Sequence, residues 1–270
     1  MPELAEVEHA RRTWDVGLGK RVFAVEVSSN AGRVVRDVDL ASLRQAIEGQ
    51  PLRFSEARGK QLCFRFGKTA WLAIHLGMAG ALSAESAGYV PAKHDLLVLR
   101  QKGQSLVFTD LRHFGRVRLH LGSAPPSFWT ALPPSLSSGE FTPFAMRAFC
   151  DRRARSALKT VLLDQRRFPG IGNWMADEIL WRARLAPDRL AGSLDEASAA
   201  RLYRAIRWVS AAALRVVDAS WEYPRTWLFR HRWEDGGHCP RCGSGLQRVV
   251  LGGRRTCFCP TCQRRARLTG

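Results

Sequence analysis

Cys239-Pro-Arg-Cys242 and Cys259-Pro-Thr-Cys262 stand near the end of the chain as two Cys-x-x-Cys pairs separated by residues 243–258. Four thiolates at this spacing can meet at one tetrahedral zinc ion, because each pair sits on a tight turn that aims two sulfurs at one point. Residues 243–258 are long enough for two antiparallel strands and a hairpin tip, so the spacing predicts a zinc ribbon. Its tip, Leu251-Gly252-Gly253-Arg254-Arg255, joins glycines that let the backbone bend to two guanidiniums that can meet an anion. A purely structural use is a metal staple on a small module with little core of its own.

Working back from the ribbon, the pattern is helical. Ser193 and Glu196 match a capping box for a long helix from Leu194 to about Val217, whose buried stripe is Leu202, Ile206, Val209, Ala213 and Val216. Trp174 to Arg184 reads as another helix, and Arg155 to Gln165 as a third. Between the last two lies Phe168-Pro169-Gly170-Ile171-Gly172-Asn173. Two glycines at a helix start allow close backbone approach, and the free N–H groups there favour a phosphate. The same residues also make an ordinary turn with an asparagine cap. Residues 122–143 carry Pro125, Pro126, Pro133, Pro134 and Pro143 with little periodicity, and read as an interdomain linker.

Upstream the period changes to two. Arg21–Val27, Lys60–Phe66, Ala70–Leu76, Leu96–Arg100, Ser105–Phe108 and Arg116–Leu121 read as strands, with a short helix from Asp39 to Glu48. That spacing predicts an antiparallel sandwich or flattened barrel. Met78 and Phe114 stand beside glycines and polar residues in His75-Leu76-Gly77-Met78 and Asp110-Leu111-Arg112-His113-Phe114-Gly115. Such residues pack cores, and they also suit a wedge that enters a base stack.

The chain opens Met1-Pro2-Glu3-Leu4-Ala5-Glu6-Val7-Glu8, with Leu4, Val7, Ala10 and Trp14 at helical spacing. Proline and acidic residues suit a first helical turn for structural reasons alone. They also permit chemistry that only a terminus offers. With Met1 removed, Pro2 exposes a secondary amine that can attack an electrophilic carbon, with Glu3 and Glu6 placed to supply acid and base.

Composition narrows the partner. Lys and Arg total 42 against 24 Asp and Glu, a formal net charge of +18, which calls for a polyanion such as nucleic acid or an anionic membrane surface. No apolar run reaches membrane-spanning length, and the start lacks the basic-then-apolar pattern of a secretory signal. The expected location is therefore the cytoplasm, at the nucleoid. Cys63, Cys150 and Cys257, outside the metal set, are expected to be small core or surface residues.

Taken together, Pro2-Glu3 with Glu6, Lys60, Gly170-Ile171-Gly172-Asn173 and a four-cysteine ribbon with Arg254 ahead of Cys259 resemble the formamidopyrimidine-DNA glycosylase and endonuclease VIII family. The likeness covers the whole chain. It implies an α+β chain: an N-terminal β-sandwich domain (1–121), a linker (122–143), a helix–two-turns–helix domain (144–234) and a zinc ribbon (235–270). It further implies that Pro2 is the nucleophile at the sugar C1′, Glu3 the acid and base on the deoxyribose, and Glu6 a support near the flipped base. Lys60, Lys159, Asn173 and Arg254 would hold phosphates, with Gly172 and His94 also against DNA. Met78, Arg112 and Phe114 would fill the gap left by the flipped nucleotide. One structural zinc and duplex DNA carrying damaged bases or abasic sites are the implied cofactor and partner, and the working unit is expected to be a monomer.

The chain departs from that family's pattern at Ala5, where proline is frequent, and at Leu111 and His113, which flank Arg112 in place of the usual Pro and Arg. Only residues 219–238 separate the long helix from Cys239, where purine-specific members carry a longer loop. A non-catalytic zinc-ribbon protein that binds DNA or RNA fits the charge, the ribbon and the glycine turn equally well. The terminus separates the two readings, since a binding protein has no need of Pro2 with Glu3 and Glu6.

Overall fold

The computed structural model describes residues 1–219, 221–233 and 235–264. The chain divides into two compact units, Met1–Leu132 and Pro133–Gly270. Among the described residues no helix is long and apolar enough to cross a membrane.

In the first unit, α1 (Leu4–Thr13), β1 (Val22–Val27) and α2 (Leu40–Ile47) precede seven further strands: β2 (Leu52–Arg58), β3 (Gln61–Phe66), β4 (Ala70–His75), β5 (Gly80–Ser86), β6 (Asp95–Gln101), β7 (Gln104–Asp110) and β8 (Arg116–Leu121). A short helix, α3 (Ser127–Thr130), follows. The strands form two antiparallel sheets, in the orders β1-β6-β7-β5 and β2-β3-β4-β8. Alternate residues from both sheets, among them Phe64, Phe66, Leu72, Leu97, Leu99 and Phe108, bury into one core with Trp14 of the segment after α1. The Trp14 indole donates to the carbonyls of Ser83 and Val107, so the largest core side chain is also satisfied as a donor.

Two strands lack the pattern that marks the others. β2 and β5 each lie at the end of a sheet. β5 has Leu82 as its one large buried apolar side chain, and its Gly, Ala and Ser residues disguise it. The proline-rich stretch also differs from a free linker. Its first part belongs to the sandwich, where Trp129 is buried with Cys63 and Trp71. Its second part belongs to the helices: Leu136 and Phe141 are buried, and the Tyr203 hydroxyl donates to the Phe141 carbonyl. Burial pushes the Cys63 thiol up to about 12 and Cys150 to about 11, as expected of packing residues.

The second unit contains α4 (Pro143–Arg152), α5 (Leu158–Leu162), α6 (Asn173–Ala183), α7 (Glu196–Ala219) and the hairpin β9 (Gln247–Leu251) and β10 (Arg254–Phe258). Helix α4 is new relative to the sequence reading. Pro143, taken as a linker proline, is the first residue of this helix, where its missing N–H costs nothing, and Thr142 caps it through Ala145 N–H. The helix expected over 155–165 shrinks to α5, because Asp164 turns the chain by accepting from Arg166 N–H. The cap of α7 is Asp195, which accepts from Ser198 N–H at 2.7 Å, while Ser193 lies in the preceding 3₁₀ turn.

Candidate functional site

The register of the sheets gathers the first set of residues. Gln61 pairs with His75, and His75 with Arg116, so Lys60, the 76–79 loop and the 111–115 loop leave one end of the β2-β3-β4-β8 sheet together. Lys60 Nζ reaches Met1 Sδ at 3.9 Å, which brings the terminus to the same end. Pro2 is half-buried and Glu3 buried. Glu3 and Glu6 form a reciprocal capping box on α1, the Glu3 carboxylate accepting from Glu6 N–H and the Glu6 carboxylate from Glu3 N–H. The two carboxylates therefore already serve the helix start. Arg11 fastens that helix to β2 through Asp15 and Ser55.

Asp110, buried at the end of β7, shapes the wedge loop. Its carboxylate accepts from Arg112 N–H at 3.0 Å and from Gly115 N–H at 2.6 Å. The loop passes through His113 at φ 54° and leaves Phe114 exposed, with the Arg112 and Arg33 guanidiniums over its ring. Gly77, at φ +62°, lies so close to the Phe114 backbone that a Cβ would stand 2.4 Å from its carbonyl carbon. Any side chain at 77 would push the Met78 and Phe114 loops apart. His94 is half-buried, and its carbonyl accepts from Asp110 N–H. Next to it Asp95 accepts from Tyr89, Ala92 and Thr109, pinning the approach to β6.

In the second unit Gly172 is the N-cap of α6, and Gln165 holds the turn before it by accepting from Gly170 N–H and donating to the Leu163 and Ile171 carbonyls. Asn173 donates its amide to the Arg255 carbonyl at 2.8 Å, tying the helix start to the hairpin. Lys159 requires a correction. Its side chain is completely buried, with Nζ donating to the Asn173 carbonyl and to Asp177 Oδ1, both at 2.6 Å. An ammonium enclosed in this way organises the turn and cannot itself hold a phosphate at the surface. The other Asp177 oxygen accepts from Arg232 at 2.6 Å and from Cys257 N–H at 3.0 Å. One carboxylate thus joins α5, the segment before the ribbon, and β10.

The four sulfurs of Cys239, Cys242, Cys259 and Cys262 lie within 4.8 Å of one another. A tetrahedral zinc with Zn–S near 2.3 Å sets its sulfurs roughly 3.8 Å apart. The separations of 3.9 Å for Cys239–Cys262 and 3.5 Å for Cys242–Cys259 match, and the all-thiolate set fits one structural zinc. Trp181 Nε1 donates to Cys239 Sγ at 3.2 Å, an outer contact that orients the ligand. β9 and β10 are joined by Gly252 and Gly253, both at positive φ, as a two-residue hairpin requires. A Cβ at Gly252 would stand 2.9 Å from Thr160 Oγ1, so the tip packs on α5, and Arg254 beside it is exposed.

Residues 221–233 are anchored at intervals by aromatic and apolar side chains. Tyr223, Trp227 and Leu228 are buried, the Phe229 ring packs against Tyr223 and edge-on to Trp174, and the Arg182 guanidinium lies over both the Trp208 and Trp227 rings. Phe229 N–H donates to Glu178, whose carboxyl burial pushes up to about 7 against the pull of Arg182.

Comparison with known proteins decides the family. Residues 1–117 match the formamidopyrimidine-DNA glycosylase N-terminal domain, 134–223 its H2TH domain, and 236–265 the zinc finger found in FPG and IleRS. The formamidopyrimidine-DNA glycosylase of Thermus thermophilus is 37% identical, covering 97% of this chain and 98% of its own. That of Laribacter hongkongensis is 35% identical, covering 98% and 100%. The chain belongs to the formamidopyrimidine-DNA glycosylase family. Among solved structures, Lactococcus lactis formamidopyrimidine-DNA glycosylase bound non-covalently to DNA containing an AP site superposes with a TM-score of 0.86 at 26% identity, covering 97% of this chain and 100% of that one. A variant of the same protein in complex with Fapy-dG DNA gives 0.87 at 27% identity, with coverage of 98% and 100%.

Within this family member, sequence reasoning missed the residues that position others: Asp110, Asp177, Gln165 and Gly77. Asp110 and Gly77 fell inside the clusters already singled out, at loop edges beside the residues of interest. Asp177 carried no signal, because an acidic residue in a helix looks like a solvated one until its partners from distant segments are known.

Proposed function

We propose that this chain is a base-excision-repair DNA glycosylase with AP lyase activity, which removes oxidised or ring-opened bases from duplex DNA through the amine of Pro2. The observation that carries this reading is the gathering of Pro2, Glu3, Glu6 and Lys60 at one end of the sandwich in a member of this family. Met78, Arg112 and Phe114 offset the cost of extruding a nucleotide, a few kcal/mol, by filling its place. The secondary amine attacks C1′ as the glycosidic bond breaks and the base departs with a proton, and Glu3 then gives a proton to O4′ as the C1′–O4′ bond opens to leave an iminium. The resulting iminium acidifies C2′, so loss of that proton expels the 3′ phosphate, and a second elimination expels the 5′ phosphate. Lys60, Asn173 and Arg254 face the phosphates, while Lys159 keeps the Gly172-Asn173 turn in place. The working unit is a monomer on DNA in the cytoplasm.

Borohydride added to the Met1-processed protein and abasic-site duplex should leave a covalent protein–DNA adduct. The capping box offers Glu3 and Glu6 a purely structural role, and tight DNA binding with no adduct would favour the non-catalytic reading.

Ribbon and arginine have separable parts. Arg254→Ala should weaken DNA binding and incision with zinc content unchanged, whereas Cys259→Ser should lose zinc and hairpin together. Metal analysis beside a binding assay reads both. Equal zinc loss in the two variants would remove Arg254 from the phosphate role.

The substrate follows from two features. The wedge residues favour duplex over single strands. The short 219–238 segment leaves little chain to cap 8-oxoguanine, so abasic sites, ring-opened purines and oxidised pyrimidines should be processed ahead of it. Single-turnover rates on matched duplexes and single strands test both halves. Fastest release of 8-oxoguanine opposite cytosine would mean another segment supplies the cap.

A further inference from the structure

We propose that a cavity on the outer face of the β3-β4-β8 sheet is a nucleotide subsite, taking one aromatic base with its phosphate. Side chains alternate across a strand, so residues 61, 63 and 65 of β3, 71, 73 and 75 of β4, and 116, 118 and 120 of β8 face away from the sandwich core. Most of these side chains are large. Cys63 and Ala73, paired across β3 and β4, are the small ones, and the space above Ala73 is a cavity of about 320 Å³ lined by Gln61, His75, Arg116, Arg118 and two rings, Phe114 and Phe128. Phe114 arrives from the wedge loop at one end. Phe128 arrives from α3 at the other, where it stacks on His120.

The lining selects for an aromatic anion. It contains no carboxylate, and neither arginine is ion-paired among the described residues. Two guanidiniums two residues apart on one strand face repel each other unless an anion lies between them, and their planar forks suit phosphate. The two phenylalanines and the methyl floor have no use for a bare inorganic ion, but a base can stack on them. His75 Nδ1 accepts from Gly77 N–H at 3.0 Å, which leaves the proton on Nε2 as a donor. Burial first, and then the charges of Lys60 and Arg116, hold this imidazole below its usual range, so it offers that donor as a neutral ring. His120 Nε2, beside Phe128, is buried with no hydrogen-bond partner among the described residues, which adds a polar group to that end.

The subsite goes beyond the activity proposed above, since Ala73, Arg118 and Phe128 belong neither to the terminal-amine set nor to the wedge. Its ligand is either a free mononucleotide or an unpaired nucleotide of a bound strand. The test is calorimetric titration of the full, zinc-loaded chain with deoxyadenosine monophosphate, deoxyadenosine and inorganic phosphate. The nucleotide should bind about tenfold or more tighter than either fragment, and Arg118→Gln should remove that advantage. Arg118→Lys, which keeps charge but loses the fork, should fall between and serves if the glutamine variant is unstable. Phe128→Leu should weaken the nucleotide and leave phosphate unchanged.

Duplexes with one unpaired adenine nucleotide and without it separate the two sources. A strand nucleotide is indicated if Arg118→Gln narrows the preference for the bulged duplex, and a free one if both duplexes bind both proteins equally. Nucleotide binding no tighter than phosphate, or unchanged in both Arg118→Gln and Phe128→Leu, overturns the proposal. Borohydride trapping should stay within about twofold of the parent in Arg118→Gln, because that residue touches none of the terminal-amine set. Nucleotide binding without any adduct would sink the glycosylase reading and leave the subsite standing.

Discussion

Protein that retains Met1 should give no borohydride adduct and incise abasic duplex about a thousandfold or more slowly than the processed form, since the nucleophile is then an amide nitrogen. Pro2→Ala, once processed, presents a primary amine of altered geometry and should trap weakly. Glu3→Gln separates the two uses of the same carboxylate. Glutamine keeps an oxygen that accepts from Glu6 N–H, so the capped start of α1 survives and stability should change by about 1 kcal/mol or less. It cannot exchange a proton as an acid, so base release should fall by about 10²–10⁴. Thermal unfolding and single-turnover kinetics on one preparation read the two effects. Lost stability with an unchanged rate would make Glu3 a helix cap and nothing more.

Asp177→Ala should be the most destabilising single substitution in the helical unit. It strands two cations, Lys159 with no side-chain exposure and Arg232 with 6%, and takes the acceptor from Cys257 N–H. Removing one partner of a buried pair costs about 3–5 kcal/mol, which at this size corresponds to a fall in Tm of roughly 10 °C. Lys159→Met in the Asp177→Ala background should cost less than in the parent, since the ammonium no longer has a partner to lose. Zinc content should survive at saturating metal but dissociate faster, because β10 is no longer held to α6. Additive effects in the cycle would show that the buried pair is not coupled.

The site-bearing parts of this chain were readable where chemistry depends on local spacing. Two Cys-x-x-Cys pairs specify a metal ribbon because ligand geometry is set within four residues. The acidic first turn of α1 is likewise a short-range pattern, which the structure completes as a Glu3–Glu6 capping box, whereas the asparagine cap expected for α6 falls on Gly172, with Asn173 the first helical residue. Central strands such as β3 and β4 declared themselves through burial on both sides or strict alternation. β2 and β5 did not, because β2 is broken up by Arg53, Ser55, Glu56 and Arg58, and β5 has Leu82 as its one large apolar residue among Gly, Ala and Ser. Pro143 was misread because proline looks the same in a linker and at the first turn of a helix, and Asp195 was overlooked because Ser193 and Glu196 satisfied the capping pattern.

Only the tertiary structure decided what long-range pairing controls. Lys159 reads as a surface cation until Asp177 and the Asn173 carbonyl enclose it. Lys60 joins the terminus because β3 pairs with β4 in one register and no other. Arg116 and Arg118 look like a solvated strand face until Ala73, Phe114 and Phe128 make them the wall of a cavity. Burial and charge partners belong to segments far apart in sequence, so only the fold can assign them.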